Sequence, residues 1–383
     1  MKAIIIVNLA GFLTFLWNDI ETLQKMGFEV SVAMNGYMLD GSEPIEKRIL
    51  KNRKIQFYQI DFNTKNPFSK QNITSFKQLK TIFEHNKFDL IHCHTPIVGM
   101  LTRLAAIKCR RQGTKVIYTT HGFSFTDRTS IKSWVVYYSI EKIMSKFCDA
   151  IITINHEDYQ NAKKMHCKKV YIIPGVGIDS ERFQDVKINR DEYRKQFGVY
   201  ETDIMVLAVG ELSSRKNHRI IIDAISLLPN KNKFCFVICG KSVVNSALSE
   251  ELITLAKIKH VRLFLAGHRF DIPEINKCAD IAVIPSKREG LGMAGLEAMA
   301  SGVPVVGSDV QGIREYVVQG ITGYLCNSND AEEFAVAIEK LSAMSLQERD
   351  KMELNCKNKV KEFDVRKSIA AMKNIYREVM DNE

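Results

Sequence analysis

Short apolar runs, each closed by a polar or Gly-rich stop, recur along the chain with enough residues between them for a helix. Residues 3–7 read as a buried strand, 13–26 as a helix stopped by Gly27, and 28–34 as the next strand, which makes an opening βαβ unit. Runs at 90–93, 115–120, 150–154 and 169–173 continue the alternation until Pro174-Gly175-Val176-Gly177-Ile178-Asp179 breaks it. A second series follows at 204–209, 234–239, 261–265, 281–286 and 302–308. Strands alternating with helices build parallel sheets covered on both faces. The pattern therefore predicts an α/β protein of two facing Rossmann-like domains with parallel sheets, spanning residues 1–185 and 186–364. The length of 383 residues exceeds one ordinary core and suits two.

Between the last two runs lies Arg288-Glu289-Gly290-Leu291-Gly292-Met293-Ala294-Gly295-Leu296-Glu297-Ala298-Met299-Ala300. Strand, Gly-rich turn, helix, strand is again a βαβ unit, and ligands of such sheets bind at the carboxyl ends of the strands, where this turn lies. Gly290 and Gly292 let backbone N–H groups come close to a ligand. A helix starting near Met293 aims its first-turn donors at an anion such as a diphosphate. Glu297 then sits about one turn inside the helix, where a carboxylate suits a neutral hydroxyl-rich group and would repel a phosphate. Glu289 is left for a second polyol. Hydroxyl-bearing groups on both sides of a diphosphate describe a nucleotide sugar. The plainer alternative makes Glu289 a helix cap and Glu297 a solvated helix residue, and it leaves the ordered setting of the pair unexplained.

The segments Pro285-Ser286, Glu289-Gly290-Leu291-Gly292, Leu296-Glu297-Ala298-Met299-Ala300, Gly302-Val303-Pro304-Val305-Val306 and Gly320-Ile321-Thr322-Gly323-Tyr324-Leu325 resemble the signature of the retaining glycosyltransferases of family four. The resemblance continues in Val209-Gly210-Glu211-Leu212-Ser213-Ser214-Arg215-Lys216-Asn217 and in Ala266-Gly267-His268-Arg269-Phe270-Asp271-Ile272-Pro273-Glu274, and it covers nearly the whole chain. It has the character of the bacterial enzymes that build capsular and exopolysaccharide repeat units. It implies the GT-B fold, with an acceptor-binding N-terminal domain, a nucleotide-sugar-binding C-terminal domain, and a final helix, residues 365–383, that crosses back to the first domain. By resemblance Lys216 is the diphosphate-binding Lys. Where the family often has an Arg this chain has Glu211, and Arg215 is the expected compensation. Glu289 is implied to meet the sugar hydroxyls and Glu297 the ribose, while Gly290, Leu291, Gly292 and Met293 line the diphosphate. Arg269 lies in the loop 267–272 expected to hold the base. Gly11 ends the first strand, where the family presents a small-residue loop to the donor. His121, in Thr119-Thr120-His121-Gly122-Phe123, is implied to reach the transferred sugar; its bland reading is a histidine hydrogen-bonded at a strand end.

The resemblance further implies a retaining hexosyltransferase working without a metal or other cofactor. The acceptor hydroxyl attacks from the face the diphosphate leaves, and a diphosphate oxygen takes the proton. The expected donor is a UDP-sugar and the expected acceptor a saccharide on a polyprenyl diphosphate, in the biosynthesis of capsule, exopolysaccharide or O-antigen. Two alternatives stay open: an epimerase or phosphorylase acting on nucleotide sugars, though no pyridoxal-binding Lys motif is visible, and a non-catalytic nucleotide-sugar-binding protein of the same fold.

Four further features adjust this picture. His92-Cys93-His94 offers zinc-ligand types, but no second ligand cluster stands at a usable spacing, so no metal site is expected. The nine cysteines form no CxxC pair and read as reduced, structural thiols. Residues 1–190 hold 28 Lys/Arg against 17 Asp/Glu, and residues 191–383 hold 26 against 27, so the whole net charge of +10 comes from the first half. Clusters such as Lys108, Arg110 and Arg111 predict an anionic partner, and the lack of any nucleic-acid-binding motif favours an anionic membrane surface over nucleic acid. No run approaches the ~20 apolar residues of a spanning helix. The expected location is the cytoplasm, peripheral on the inner face of the plasma membrane.

Overall fold

The apolar runs form thirteen parallel strands in two sheets, as described by a computed structural model covering residues 1–37, 43–63, 66, 69–242 and 247–381. The first sheet is built from β1 (Lys2–Leu9), β2 (Glu29–Asn35), β3 (Gln56–Gln59), β4 (Leu90–His94), β5 (Lys115–Thr119), β6 (Ala150–Thr153) and β7 (Lys169–Ile172). The second contains β8 (Ile204–Val209), β9 (Phe234–Cys239), β10 (Arg262–Gly267), β11 (Ile281–Ile284), β12 (Val305–Ser308) and β13 (Gly323–Cys326). Their orders are β3-β2-β1-β4-β5-β6-β7 and β10-β9-β8-β11-β12-β13. Each order reverses direction once, between β1 and β4 in one sheet and between β8 and β11 in the other, which is the doubly wound arrangement. The central strands are buried on both faces, as their unbroken apolar runs require; Ile4, Ile5, Ile6, Phe236, Val237 and Ile238 are fully buried.

The chain divides into one unit of residues 1–177 and 366–383 and another of 178–365. The boundary thus falls after Gly177, eight residues before the expected 185, and the returning segment starts at 366 instead of 365. The reason is packing. The Ile178 N–H donates to the Phe363 carbonyl at 2.9 Å, Val365 N–H donates back to Ile178 at 3.0 Å, and Phe183 is buried, which ties 178–185 to the second unit. The C-terminal helix Val365–Met380 belongs almost entirely to the first unit, where Tyr376 hydrogen-bonds His92 Nδ1 at 2.9 Å. Counted on these boundaries, the first unit carries 29 Lys/Arg against 17 Asp/Glu and the second 25 against 27, so the charge asymmetry follows the structural division.

Two local expectations need correction. The expected helix over 13–26 begins as a 3-10 segment, Ala10–Phe15, and becomes α-helical only over Trp17–Lys25. Leu13 and Leu16 are both buried, and their i, i+3 spacing suits the tighter helix. The short edge strand β3 escaped the pattern because its sequence, Gln-Phe-Tyr-Gln, has no buried residue. All nine cysteines are free, and eight are buried.

Candidate active site

In the second unit, the residues singled out from the sequence converge at the switch point. The loop after β8 carries Arg215 and Lys216, and the loop after β11 carries Glu289. A backbone hydrogen bond from Lys287 to the Arg215 carbonyl, 2.9 Å, stitches the two loops together. Lys216 Nζ stands 2.9 Å and Arg215 Nη1 3.2 Å from the same Glu289 oxygen. Arg215 also meets Glu211 at 3.1 Å, so the Glu that replaces the family's Arg draws on the neighbouring cation. Burial alone would raise the Glu289 carboxyl, but Lys216 and Arg215 outweigh it and hold the group below its ordinary value. Glu289 is therefore an anion in a partly buried, positively charged setting.

The helix Met293–Ala300 starts where the sequence placed it. Its N-cap is Gly292 at φ 83°, a left-handed conformation that a side chain would strain, and no side chain caps the helix. The open first-turn donors that any helix leaves thus lie directly beside Glu289. Two residues absent from the sequence reading hold this bend. The Gly312 N–H donates to the Glu289 carbonyl at 3.0 Å, and a Cβ on Gly312 would lie 2.2 Å from the Gly290 carbonyl oxygen, so only glycine lets the two loops touch. The buried Tyr316 hydroxyl donates to the Gly292 carbonyl at 3.2 Å. Gly312 follows β12 in a visible Val-Gln-Gly stop; Tyr316 gave no signal. Leu291, within the bend, is buried. Glu297 lies within the helix, half-buried, and its carboxyl is raised by burial, which Arg182 and Lys216 offset only in part.

Arg269 is placed differently. Its guanidinium binds Asp271 through two hydrogen bonds, 2.8 and 2.5 Å, and stacks over Phe197, 5.7 Å from the ring centroid. It holds the shape of its own loop and is not joined to the Glu289 cluster.

In the first unit, Gly11 sits exposed in the 3-10 turn after β1, with nothing within 4 Å of a Cβ placed on it. A glycine is not sterically required there within the unit. His121 follows β5, and its Nε2 lies 3.1 Å from Nδ1 of His94, with its ring edge-on to Phe12 at 4.7 Å. Burial lowers His121 to about 4, so the imidazole is neutral at pH 7. The sequence offers no second ligand cluster at a usable spacing, but the fold brings an acid to the pair: one atom each of Asp19, His92 and His94 lie within 4.8 Å of one another. Both ring nitrogens of His92 are engaged, however, with Tyr376 at 2.9 Å and Thr119 at 2.8 Å.

The expected basic cluster is also altered. Arg110 chelates Asp149 at 2.8–3.1 Å and is a structural residue, leaving Lys108 and Arg111 exposed. No helix among the described residues is long and apolar enough to cross a membrane.

Two doubly wound parallel sheets, the second bearing a cation-bracketed carboxylate beside an open helix start at its switch point, define a glycosyltransferase of the GT-B class. The comparisons fix the family. A family model for "Glycosyl transferases group 1" matches residues 189–361, and one for "Glycosyltransferase Family 4" matches residues 11–182. The Bacillus subtilis protein EpsD is 36% identical over 83% of this chain and 81% of its own length. The UDP-Gal:alpha-D-GlcNAc-diphosphoundecaprenol alpha-1,3-galactosyltransferase of Escherichia coli is 30% identical over 82% of this chain and 83% of its own. The crystal structure of Anabaena HepE in complex with UDP-glucose matches with a TM-score of 0.79 at 19% identity, over 99% of this chain and 100% of that one, a likeness of fold. The chain belongs to glycosyltransferase family four.

Proposed function

We propose that the protein is a retaining, metal-independent hexosyltransferase that moves a sugar from a UDP-sugar to a saccharide on a polyprenyl diphosphate, in the assembly of a cell-surface polysaccharide such as capsule, exopolysaccharide or O-antigen. The observation that carries this reading is the Glu289 carboxylate bracketed by Lys216 and Arg215 beside the uncapped start of the Met293–Ala300 helix. A leaving nucleoside diphosphate builds negative charge, and fixed cations with oriented N–H donors stabilise it without reorganisation. The second unit holds the donor and the first the acceptor. Lys216 and Arg215 neutralise the diphosphate, and the backbone from Gly290 to Met293 cradles it. Glu289, kept ionised, accepts hydrogen bonds from sugar hydroxyls, and Glu297 does the same for the ribose. The loop of Arg269 borders the base. Gly11 and His121 contribute to the donor sugar from the first unit. The donor choice draws on the UDP-glucose bound in the HepE structure, and the acceptor choice on the diphosphoundecaprenol substrate named for the E. coli relative.

The acceptor oxygen forms the new bond to the anomeric carbon on the face where the carbon–oxygen bond to the diphosphate breaks; the acceptor proton passes to the departing diphosphate oxygen. No enzyme base is needed. The test supplies a lipid-linked saccharide and a panel of nucleotide sugars and measures nucleoside diphosphate release together with the anomeric configuration of the product. Inversion, or no release with any donor, would contradict the reading. Activity is expected to survive EDTA, because Arg215, Lys216 and the helix start provide the positive potential a metal would otherwise supply. Complete loss on chelation, restored by magnesium or manganese, would overturn that part.

The first unit is assigned to the cytoplasmic leaflet of an anionic membrane. Its helix Ile131–Met144 exposes Ile131 at 83%, Val136 at 55%, Ile143 at 53% and Val135 at 51%, where a water-facing helix would carry polar residues. Lys132 and Lys146 are exposed alongside, and the helix's one acid, Glu141, is buried. An apolar stripe flanked by lysines suits a surface that combines acyl chains with anionic headgroups. The protein is expected to co-sediment with anionic liposomes and to be released as salt rises, each nearby Lys contributing about 1 kcal/mol. Val135→Ser together with Ile131→Ser should weaken binding more than loss of Arg110, which is committed to Asp149. Equal binding to neutral and anionic vesicles would sink the assignment.

A further inference from the structure

The first unit contains a buried polar line that the transfer chemistry above leaves unused. His94 is fully buried on β4, with its Nδ1 3.1 Å from His121 Nε2. Its other nitrogen, Nε2, has no partner among the described residues. His94 borders a cavity of about 20 Å³ that is also lined by Asp19, from the Trp17–Lys25 helix, and by Ser368, from the C-terminal helix. The Ser368 hydroxyl is likewise buried and unpartnered among the described residues. Three elements far apart in the sequence thus bring an acid, an imidazole and a hydroxyl to one small space. A buried water needs roughly 10–15 Å³ and two to four polar partners, and this cavity offers room for one and three partners.

A metal ion is the competing occupant. It would need a nitrogen of His92 as its third ligand, and both are held, by the hydroxyls of Tyr376 and Thr119. Asp19 and His94 alone fall short of the three or four ligands of a protein metal site. We propose that a single trapped water joins Asp19 to His94, and that Asp19 and His94 are positioning residues that fix which nitrogen of His121 carries the proton. The proposal rests on the reading that His121 contacts the transferred sugar.

The direction of the line follows from its ends. Burial, reinforced by the rings of His92 and His121, holds His94 well below its ordinary value, and burial does the same to His121, so each ring carries one proton. Burial also pushes the Asp19 carboxyl up to about 7, so above that pH it is a carboxylate and accepts only. The water then donates one proton to Asp19 and the other to the Ser368 hydroxyl, which leaves its oxygen to accept from His94 Nε2–H. The bare Nδ1 of His94 accepts from His121 Nε2–H. His121 Nδ1 is left unprotonated, an acceptor for a sugar hydroxyl, and the protein settles this tautomer before the sugar arrives.

The test labels the histidines of the full chain with ¹⁵N and reads each tautomer from two-bond nitrogen–proton couplings, above the Asp19 titration. The wild type should show His121 protonated at Nε2. His94→Leu and Asp19→Ala should shift His121 toward the Nδ1-protonated form, and turnover should fall about fivefold, the scale of one neutral hydrogen bond, with nucleotide affinity unchanged. His94→Asn, whose side-chain oxygen can still accept from His121, should recover both. A merely structural role would make Asn and Leu alike. His121 protonated at Nδ1 in the wild type, or one tightly held metal ion per chain by mass analysis, would overturn the proposal. The tautomer readout needs no turnover: altered tautomers in a protein that transfers no sugar would refute the transferase reading and leave the line standing.

Discussion

Replacing Glu289 by Ala is expected to lower turnover at least ~100-fold, the scale of a lost transition-state contact. The carboxylate has two tasks in the geometry. In the proposed mechanism it presents an acceptor to the sugar; in the structure it holds Lys216 and Arg215 at 2.9 and 3.2 Å, which on that reading fixes where the positive charge stands when the diphosphate leaves. Lys216→Ala should produce a loss of the same order, because Arg215 divides its charge between Glu289 and Glu211 and cannot replace an ammonium directed at Glu289 alone. Glu297→Ala should behave differently. A ribose contact is the same before and during transfer, so its loss weakens nucleotide affinity and leaves turnover nearly unchanged. The measurement is steady-state kinetics with direct nucleotide binding on each folded variant. Near-normal kinetics for Glu289→Ala would remove it from the mechanism, and a pure turnover defect for Glu297→Ala would contradict its assignment.

The parts of this site that were legible in the sequence are those built by neighbours. Gly290, Gly292, Met293 and Glu297 belong to one turn and one helix, and a helix start is a local event that glycine and the apolar run announce. The central strands were legible for a related reason: burial on both faces forces apolar residues in succession, as in β9, where all six positions are buried. What escaped depends on distance or exposure. β3 is an edge strand without a buried residue, and the boundary at 177 is set by hydrogen bonds that Ile178 exchanges with Phe363 and Val365. Gly312 is needed because another loop touches it. Asp19 reaches His94 from the Trp17–Lys25 helix, and Ser368 does so only because the last helix returns to the first unit. His92 and His94, two apart on β4, share one strand face, their ring centroids being 4.1 Å apart, but nothing in the sequence could supply the acid that joins them.

Replacing Glu141 by Ala is expected to destabilise the first unit by about 3–5 kcal/mol, the cost of leaving a buried charge without its partner. Arg103 is fully buried in the Pro96–Ala105 helix, and its guanidinium reaches Glu141 at 2.7 Å, lies 4.0 Å from the centre of the Tyr118 ring, and donates from Nε to the Gly99 carbonyl at 2.9 Å. Tyr118 completes the network by donating to the other Glu141 oxygen at 3.3 Å. Arginine does not give up its proton at any ordinary pH, so the charge would remain in a poorly solvated site. Arg103→Met combined with Glu141→Leu should recover most of the loss, since apolar replacement of both partners removes the desolvation cost along with the attraction. Both tryptophans, Trp17 and Trp134, lie in the first unit, so denaturant unfolding followed by tryptophan fluorescence reports that unit alone. A shift below about 1 kcal/mol for Glu141→Ala would mean that water reaches the guanidinium and that the pair is no more than a surface bridge. The same variant links stability to function. Glu141 anchors the Ile131–Met144 helix to the body of the unit, so loosening it should also weaken liposome binding, even though the exposed apolar stripe and its lysines are untouched.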